Sequence, residues 1–398
     1  MGQRSHTPLL SICIPTYNRA ELLRLALQSL ISQVRELNDE VELIISDNCS
    51  PDHTQEVVQW AQQQIPILYH RNDENIGAAR NMLVLTNELA KGDFCWIIGD
   101  DDMVLKGKLP KLLNVIRAHP DLDYFFVNYF VKALQERNRL ILEMDSFYVP
   151  DKGECMFPDF SERRLAKWED LLNIELAEAK YAIHIYLYIG SHVFRRSMWC
   201  TNAHVVHIKR GKDLADFDTT FPHVKILGHA MAGRPAYYVG DPIILLGSGG
   251  QEWVQAGVMG AMLLANLPDA FRLYRSLGVE DATIRRLQLT LLDEYYYTVL
   301  WLISSTDSPG RQYFSLRKFL WAYRKYPRKT ARLLALVVLM WIFMRMPKPI
   351  QKALRIALKH KLVIRISRCI IPLRMRRVVG DILWWLWAPP AEKKDGGV

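Results

Sequence analysis

Three consecutive carboxylates, Asp100, Asp101 and Asp102, follow five apolar residues, Phe94 to Ile98, and one glycine, Gly99. Side by side they repel one another unless a cation lies among them. Hard oxygen donors of this kind suit Mg²⁺ or Mn²⁺, with water and substrate phosphates completing the shell. The apolar run reads as a strand buried on both faces. Asp is a poor strand residue, so the acids belong to the loop at the strand's carboxyl end, where open α/β sheets bind ligands. An acidic turn left to solvent is the other reading of such a triplet.

The elements that must position this loop can be read in order. Leu9 to Ile14 is a short apolar strand stopped by Pro15, and Glu21 to Ser32 has helical spacing, with Leu22, Leu25, Ala26 and Leu30 on one face. Val41 to Ser46 is a second strand, entering the turn cluster Asp47-Asn48-Cys49-Ser50-Pro51-Asp52 before a helix that reaches about Gln64. A brief strand at Ile67–Tyr69 and a helix over Ala78–Ala90 precede the acidic strand, and a helix over Leu109–Ala118 and a strand over Tyr124–Asn128 follow it. Alternation of this kind predicts an α/β fold, doubly wound around a mostly parallel sheet in the Rossmann-like manner. It also brings Thr16-Tyr17-Asn18, Asp47-Asn48 and Asp100 to Asp102 to one sheet edge.

Further on, Tyr181–Phe194 reads as strand, and a loop carrying Asp213, Asp216 and Asp218 leads to a helix over His223–Ala232 opened by Pro222. Tyr237–Val239 and Ile243–Leu246 read as two strands, and the chain after Glu252 as helix. The expected divisions are 1–134, a nucleotide-sugar half; 135–255, an acceptor half; and 256–398, a helical, basic, membrane-associating region.

Charge is unevenly spread. Of 51 Lys and Arg and 42 Asp and Glu, residues from Ser308 onward hold 21 and 3, which leaves 30 and 39 for the body. The six cysteines show no C-x-x-C pair and no metal spacing, as expected of reduced cytosolic thiols. The N-terminus lacks the apolar core of a secretory signal. The longest apolar run, Leu333 to Met344, is 12 residues between two arginines and is too short to span a bilayer.

With these residues in view, positions up to about 105 resemble the family-2 glycosyltransferases of the GT-A fold. The resemblance is carried by Ile14-Pro15-Thr16-Tyr17-Asn18-Arg19, Ser46-Asp47-Asn48-Cys49-Ser50-Pro51-Asp52, Asn75-Ile76-Gly77-Ala78-Ala79-Arg80-Asn81, Gly92-Asp93 and the acidic strand end. More narrowly, Asp93 to Gly99 and Phe221-Pro222-His223-Val224 are similar to bacterial O-antigen sugar transferases of the abequosyltransferase kind. The resemblance implies a nucleotide-diphosphate-sugar donor held by Pro15, Thr16, Tyr17, Asn18, Asp47, Asn48, Arg80, Asn81 and Asp100. Thr16 and Tyr17 would flank the base, Asp47 would accept hydrogen bonds from its ring, and Arg80 and Asn81 would approach ribose or phosphate. A turn-forming Asp47 and a helix-surface Arg80 are the competing readings.

The family's metal motif is commonly Asp-x-Asp-Asp, and here Gly99 stands where its first Asp would be. If the register holds, Asp101 carries the metal; if it slips by one, Asp100 and Asp102 do. Asp101 and Asp102 are the expected ligands of Mg²⁺ or Mn²⁺. Inversion, typical of the family, needs a carboxylate base beside the acceptor hydroxyl, and Asp218 is the choice by position, with Asp213, Asp216 and His223 as alternatives. Gln251 and Trp253 match a processive-enzyme loop only faintly.

The expected function is transfer of a sugar to a hydroxyl of a polyprenyl-diphosphate-linked glycan in cell-surface polysaccharide or O-antigen synthesis. A sugar-phosphate nucleotidylyltransferase would want a glycine-rich first loop, which is missing; a non-catalytic scaffold would treat Gly99 as a lesion. The tail interleaves Lys and Arg with Leu and Ile between Ile350 and Val379 and ends in Trp384-Trp385-Leu386-Trp387. That pattern points to an anionic membrane surface at the cytoplasmic face of a bacterial inner membrane, bound peripherally, and not to nucleic acid. A packed helical subdomain is the competing reading.

Overall fold

A computed structural model describes residues 7–133, 155–178, 186–208, 216–248, 258–304, 314–326, 346–347 and 349–350. The apolar runs form the middle of one sheet. Strand β1 (Leu10–Thr16) pairs in parallel with β2 (Val41–Asp47), which pairs with β3 (Leu68–Arg71). On its other side β1 takes β4 (Phe94–Ile97), also parallel. The chain thus winds outward through β2 and β3, then returns to the opposite side of β1. Its direction reverses between β1 and β4, the position at which a doubly wound sheet opens a crevice.

Both faces of β1, β2 and β4 are covered, which is why they read as continuous apolar runs and not as alternation, whereas edge strand β3 is partly exposed. Helix α1 (Ala20–Leu37) buries Leu23, Ala26, Leu27, Leu30, Ile31 and Val34, one stripe at helical spacing.

Beyond β4 the sheet changes character. The strands that complete it are β5 (Met103–Val104), β6 (Tyr124–Ala133), β7 (Arg163–Leu165), β8 (His192–Arg195) and β9 (Ala236–Ser248). The order is β3-β2-β1-β4-β8-β6-β9-β5, with β7 also on β9. Strand β8 runs antiparallel to both β4 and β6, whereas β6 and β9 are parallel. One hydrophobic core extends from Leu10 through Trp96, Trp168 and Trp199 to Leu291, so the helices Val258–Ser276 and Asp281–Ser304 pack on the same interior as the sheet. Trp168 stacks on Tyr186 at 4.0 Å and Phe194 on Trp199 at 4.6 Å; such pairs add about 0.5–1.5 kcal/mol beyond the area they bury.

Three elements differ from expectation. The two strands expected at 237–239 and 243–246 are one strand, β9, interrupted by a bulge opposite Asn128, where Pro242 is tolerated. The Asn128 amide donates to the carbonyls of Gly240 and Phe157, each at 2.8 Å, and so satisfies oxygens the ladder leaves. The helix expected over Ala78–Ala90 is α-helical over Ala78–Leu83 and turns π-helical over Val84–Leu89. Arg196 donates to the Thr86 and Asn87 carbonyls that this widening turns outward. Within the stretch expected as strand from Tyr181, the described residues hold a 3-10 turn at Ile189–Ser191 and then β8.

Among the described residues no helix is long and apolar enough to cross a membrane. Asp213, Gln251, Trp253 and most of the basic tail, including 333–344 and 351–398, lie outside the described residues.

Candidate active site

The loops that leave β1, β2 and β4 meet at one edge of the sheet. The first two are bound to each other through the backbone. The Asn48 N–H donates to the Thr16 carbonyl at 2.9 Å, the Asn18 N–H to Ser50 Oγ at 2.9 Å, and the Ala20 N–H to Asp52 Oδ2 at 2.9 Å. Asp52 therefore caps the start of α1 from a different loop. Asn18 sits at φ 54°, in the left-handed region that asparagine tolerates better than most residues, which explains its place in the turn. Tyr17 is 43% exposed at the mouth of this edge.

The acidic loop faces β1. Asp100 Oδ2 accepts the Thr16 hydroxyl at 2.8 Å, and its Oδ1 lies 2.7 Å from Arg19 Nη1. Arg19 Nη2 reaches Asp101 Oδ2 at 2.5 Å, so one guanidinium joins two neighbouring carboxylates. Burial works against the charge on Arg19, and Asp100 and Asp101 outweigh it, so its pKa rises. Asp100 goes the other way: burial pushes its carboxyl up to about 7 against the pull of Arg19.

Asp102 turns inward. Its Oδ2 accepts the Gly99 N–H at 2.7 Å, and the Tyr188 hydroxyl faces its carboxylate. Burial first, then Asp102, raises the Tyr188 phenol well above its ordinary pKa. Gly190 makes room for this ring, since a Cβ there would lie 2.5 Å from the Tyr188 oxygen. The three acids thus divide: Asp100 and Asp101 share a cation, and Asp102 folds the turn.

Hard oxygens with a positive charge already among them are the donor set a divalent ion takes, and the arrangement fits Mg²⁺ or Mn²⁺ on that ground. Among the described residues no three His, Cys, Asp or Glu side chains converge on one point, so phosphate and water would have to supply the remaining ligands.

Asp47 closes β2 and is buried. It accepts the Ser50 N–H at 2.8 Å and the Tyr69 hydroxyl at 2.7 Å, with Arg71 Nε 3.8 Å away. Asn48 and Asn81 are hubs of a buried amide network. Asn48 accepts the Ile76 N–H and donates to Asn75, and Asn81 accepts the Ser46 hydroxyl and donates to the Ser46 carbonyl. Pro15 is partly buried beside Thr16. Arg80 donates to the Ile208 carbonyl at 3.1 Å, which ties the helix Ala78–Leu83 to the chain after Val205.

Further along, Asp216 caps the short helix Phe217–Thr220 by accepting the Thr219 N–H. Asp218 binds Lys225 Nζ through both oxygens, at 2.8 and 3.0 Å, and accepts the His207 N–H at 2.8 Å. His223 is buried, and burial lowers its pKa to about 4. Its Nε2–H donates toward the carbonyls of Tyr186 and Leu187, at 3.0 and 3.2 Å. It is a neutral imidazole that anchors the backbone immediately before Tyr188. Arg19, Tyr69, Arg71 and Tyr188 join the site from outside the sequence-based set. Arg19 alone had a signal, as the last residue of the first motif.

The site is thus a cluster of acids, one guanidinium and an exposed tyrosine at the switch point of a mixed, mostly parallel α/β sheet. Residues 11–176 match the family model described as Glycosyl transferase family 2. The chain is 29% identical to the abequosyltransferase RfbV of Salmonella typhimurium over 60% of its own length and 66% of the relative's. It is 32% identical to a GalNAc(5)-diNAcBac-PP-undecaprenol beta-1,3-glucosyltransferase of Campylobacter jejuni, over 31% of this chain and 39% of that one. The matches span less than two thirds of these curated relatives. The fold matches Staphylococcus aureus TarS 1-349 in complex with UDP at a TM-score of 0.52 and 14% identity, covering 84% of this chain and 89% of that one. With UDP-GlcNAc bound, the same protein matches at 0.51 over 82% and 83%. The sheet is that of the GT-A proteins.

Proposed function

We propose that the protein is an inverting glycosyltransferase that moves a sugar from a nucleotide-diphosphate donor to a hydroxyl of a polyprenyl-diphosphate-linked glycan. The observation that carries this reading is the meeting of Thr16 and Arg19 with Asp100 and Asp101 at the switch point of a family-2 domain. Support for donor and acceptor comes from relatives: a neighbour in fold binds UDP-GlcNAc, and one relative is named for an undecaprenol-linked glycan.

In this reading Tyr17 lies along the base and Asp47, held by Ser50 and Tyr69, offers its carboxylate edge to the base ring. Asn48 and Asn81 fix the loops that carry these groups, and Arg80 faces the phosphates. Asp101 would hold Mg²⁺ or Mn²⁺ through its carboxylate, while Asp102 shapes the turn beside it. Such an ion would supply positive charge against the negative charge that builds on the leaving diphosphate. Asp218 takes the acceptor proton, with Lys225 holding its carboxylate in place.

In the same reading the protein sits on an anionic leaflet, which the basic composition of the tail supports. Its described helix, Leu316–Ala322, exposes Leu316 and Trp321, the latter 53% exposed, beside Arg317 and Lys318. Arg324 lies 4.2 Å over the Trp321 ring. Aromatic and basic groups on one surface suit the headgroup region.

The test is incubation of the full chain with labelled nucleotide sugars and bacterial membrane lipid. Label entering the lipid fraction, released by mild acid, is the expected result. Exchange of pyrophosphate, or no transfer with any donor, overturns the reading.

A further inference from the structure

Arg19 does more than complete a motif. Both carboxylates it joins are 4% exposed in their side chains, whereas Arg19 is 29% exposed. The guanidinium therefore lies between the acids and the opening of the crevice. Its backbone is pinned on both sides, by Asn18 N–H on Ser50 and Ala20 N–H on Asp52. The side chain can swing while the loop stays. A cation that reaches Asp101 must displace the guanidinium, and leaving two buried carboxylates needs another anion to receive it. Arginine forks onto phosphate as readily as onto carboxylate.

Resting on the donor reading above, we infer that Arg19 is a positioning residue that makes divalent-cation binding conditional on the nucleotide diphosphate. Without nucleotide it stands in for the ion between Asp100 and Asp101. With nucleotide it transfers to the phosphates and opens Asp101 to the ion. Cation and diphosphate then bind cooperatively, and each strengthens the other by the same factor.

Electron paramagnetic resonance titration of Mn²⁺ on the full chain tests this, alone and with UDP, GDP, CDP or dTDP, corrected for Mn²⁺ held by free nucleotide. In the native protein Mn²⁺ should bind weakly alone and about tenfold or more tightly with one nucleoside diphosphate. Arg19→Gln should bind Mn²⁺ alone about tenfold more tightly than the native protein, with the nucleotide effect lost. Arg19→Lys, which keeps the charge, should retain the native order and guards against misfolding of the neutral variant. Equal or weaker nucleotide-free binding by Arg19→Gln overturns the inference. Nucleotide binding with no Mn²⁺ uptake under any condition overturns the metal assignment and this inference with it, and leaves the donor reading standing.

Discussion

The Gly99 N–H donates to Asp102 Oδ2 at 2.7 Å, and a Cβ on Gly99 would lie 2.9 Å from that same oxygen. It would also lie 2.8 Å from Asp101 Oδ1. The glycine in place of the usual first acid is thus part of how this loop closes. A side chain at 99 would push apart the two carboxylates that follow.

Gly99→Ala should lower stability by about 1–3 kcal/mol, the ordinary cost of forcing extra volume into a packed site, and should reduce transfer. Gly99→Asp should do worse, despite restoring the common motif. Urea unfolding and initial-rate assays check both. Native stability in Gly99→Asp with raised activity would show that the loop re-forms around the added acid.

Asp101 and Asp102 should separate on substitution. Asp101→Asn should abolish Mn²⁺-supported transfer with little change in thermal unfolding. Asp102→Asn should instead lose about 1.5–3 kcal/mol of stability, the range for hydrogen bonds to charged groups. It weakens the bond from Gly99 and the contact with Tyr188. If both variants unfold like the native protein and lose Mn²⁺ alike, Asp102 is a ligand and not a turn-former.

Stability should depend on the ionisation of Asp100. Its folded pKa, about 7, lies above the ordinary 3.8 of an aspartate because burial disfavours the charge. A raised carboxyl favours the fold while protonated, so this contribution is full below about pH 4 and is lost as pH rises through about 7. Across that window the native protein should lose on the order of a few kcal/mol relative to Asp100→Asn. Parallel pH slopes for the two proteins in denaturant unfolding would contradict this. Bound nucleotide must be absent, since it changes the charge around Arg19.

For the base, Asp218→Asn should lower turnover by about 10²-fold or more, on the order of what a positioned base supplies, with donor affinity unchanged. Lys225→Met isolates the ion pair, because both Asp218 oxygens rest on Lys225. Activity in Asp218→Asn together with loss in Asp213→Asn would move the role to Asp213. Asp216→Asn should chiefly fray the Phe217–Thr220 turn that it caps.

The donor half was legible because its signals are local. Continuous apolar runs ending in polar turns marked β1, β2 and β4, and alternation with helices put Thr16, Asp47 and Asp100 at one edge. What stayed hidden depends on contacts between distant segments. Arg19 and Asp101 are 82 residues apart, and nothing in either motif says that they pair. Tyr69 reads as the end of a brief strand and Arg71 lies beyond it, yet both define the surroundings of Asp47. Asn48 and Asn81 read as nucleotide contacts, and the buried amide network they form between loops has no local signal in either motif. The antiparallel entry of β8 could not be read from its own four residues, since its direction is set by what flanks it on both sides.

Strand β4 has a parallel neighbour on one side and an antiparallel one on the other, and both flanks touch the same acidic loop. Thr16, the last residue of β1, bonds to Asp100, while Tyr188, just ahead of β8, faces Asp102. The distance between the two flanks is fixed by the hydrogen-bonded spacing of adjacent strands, roughly 4.8 Å each. No hinge is needed to bring Thr16 and Tyr188 against the same acidic loop. Changes in chain outside these strands can therefore accumulate without disturbing that spacing, so the acidic loop keeps both of its flanking contacts while the surface around it diversifies.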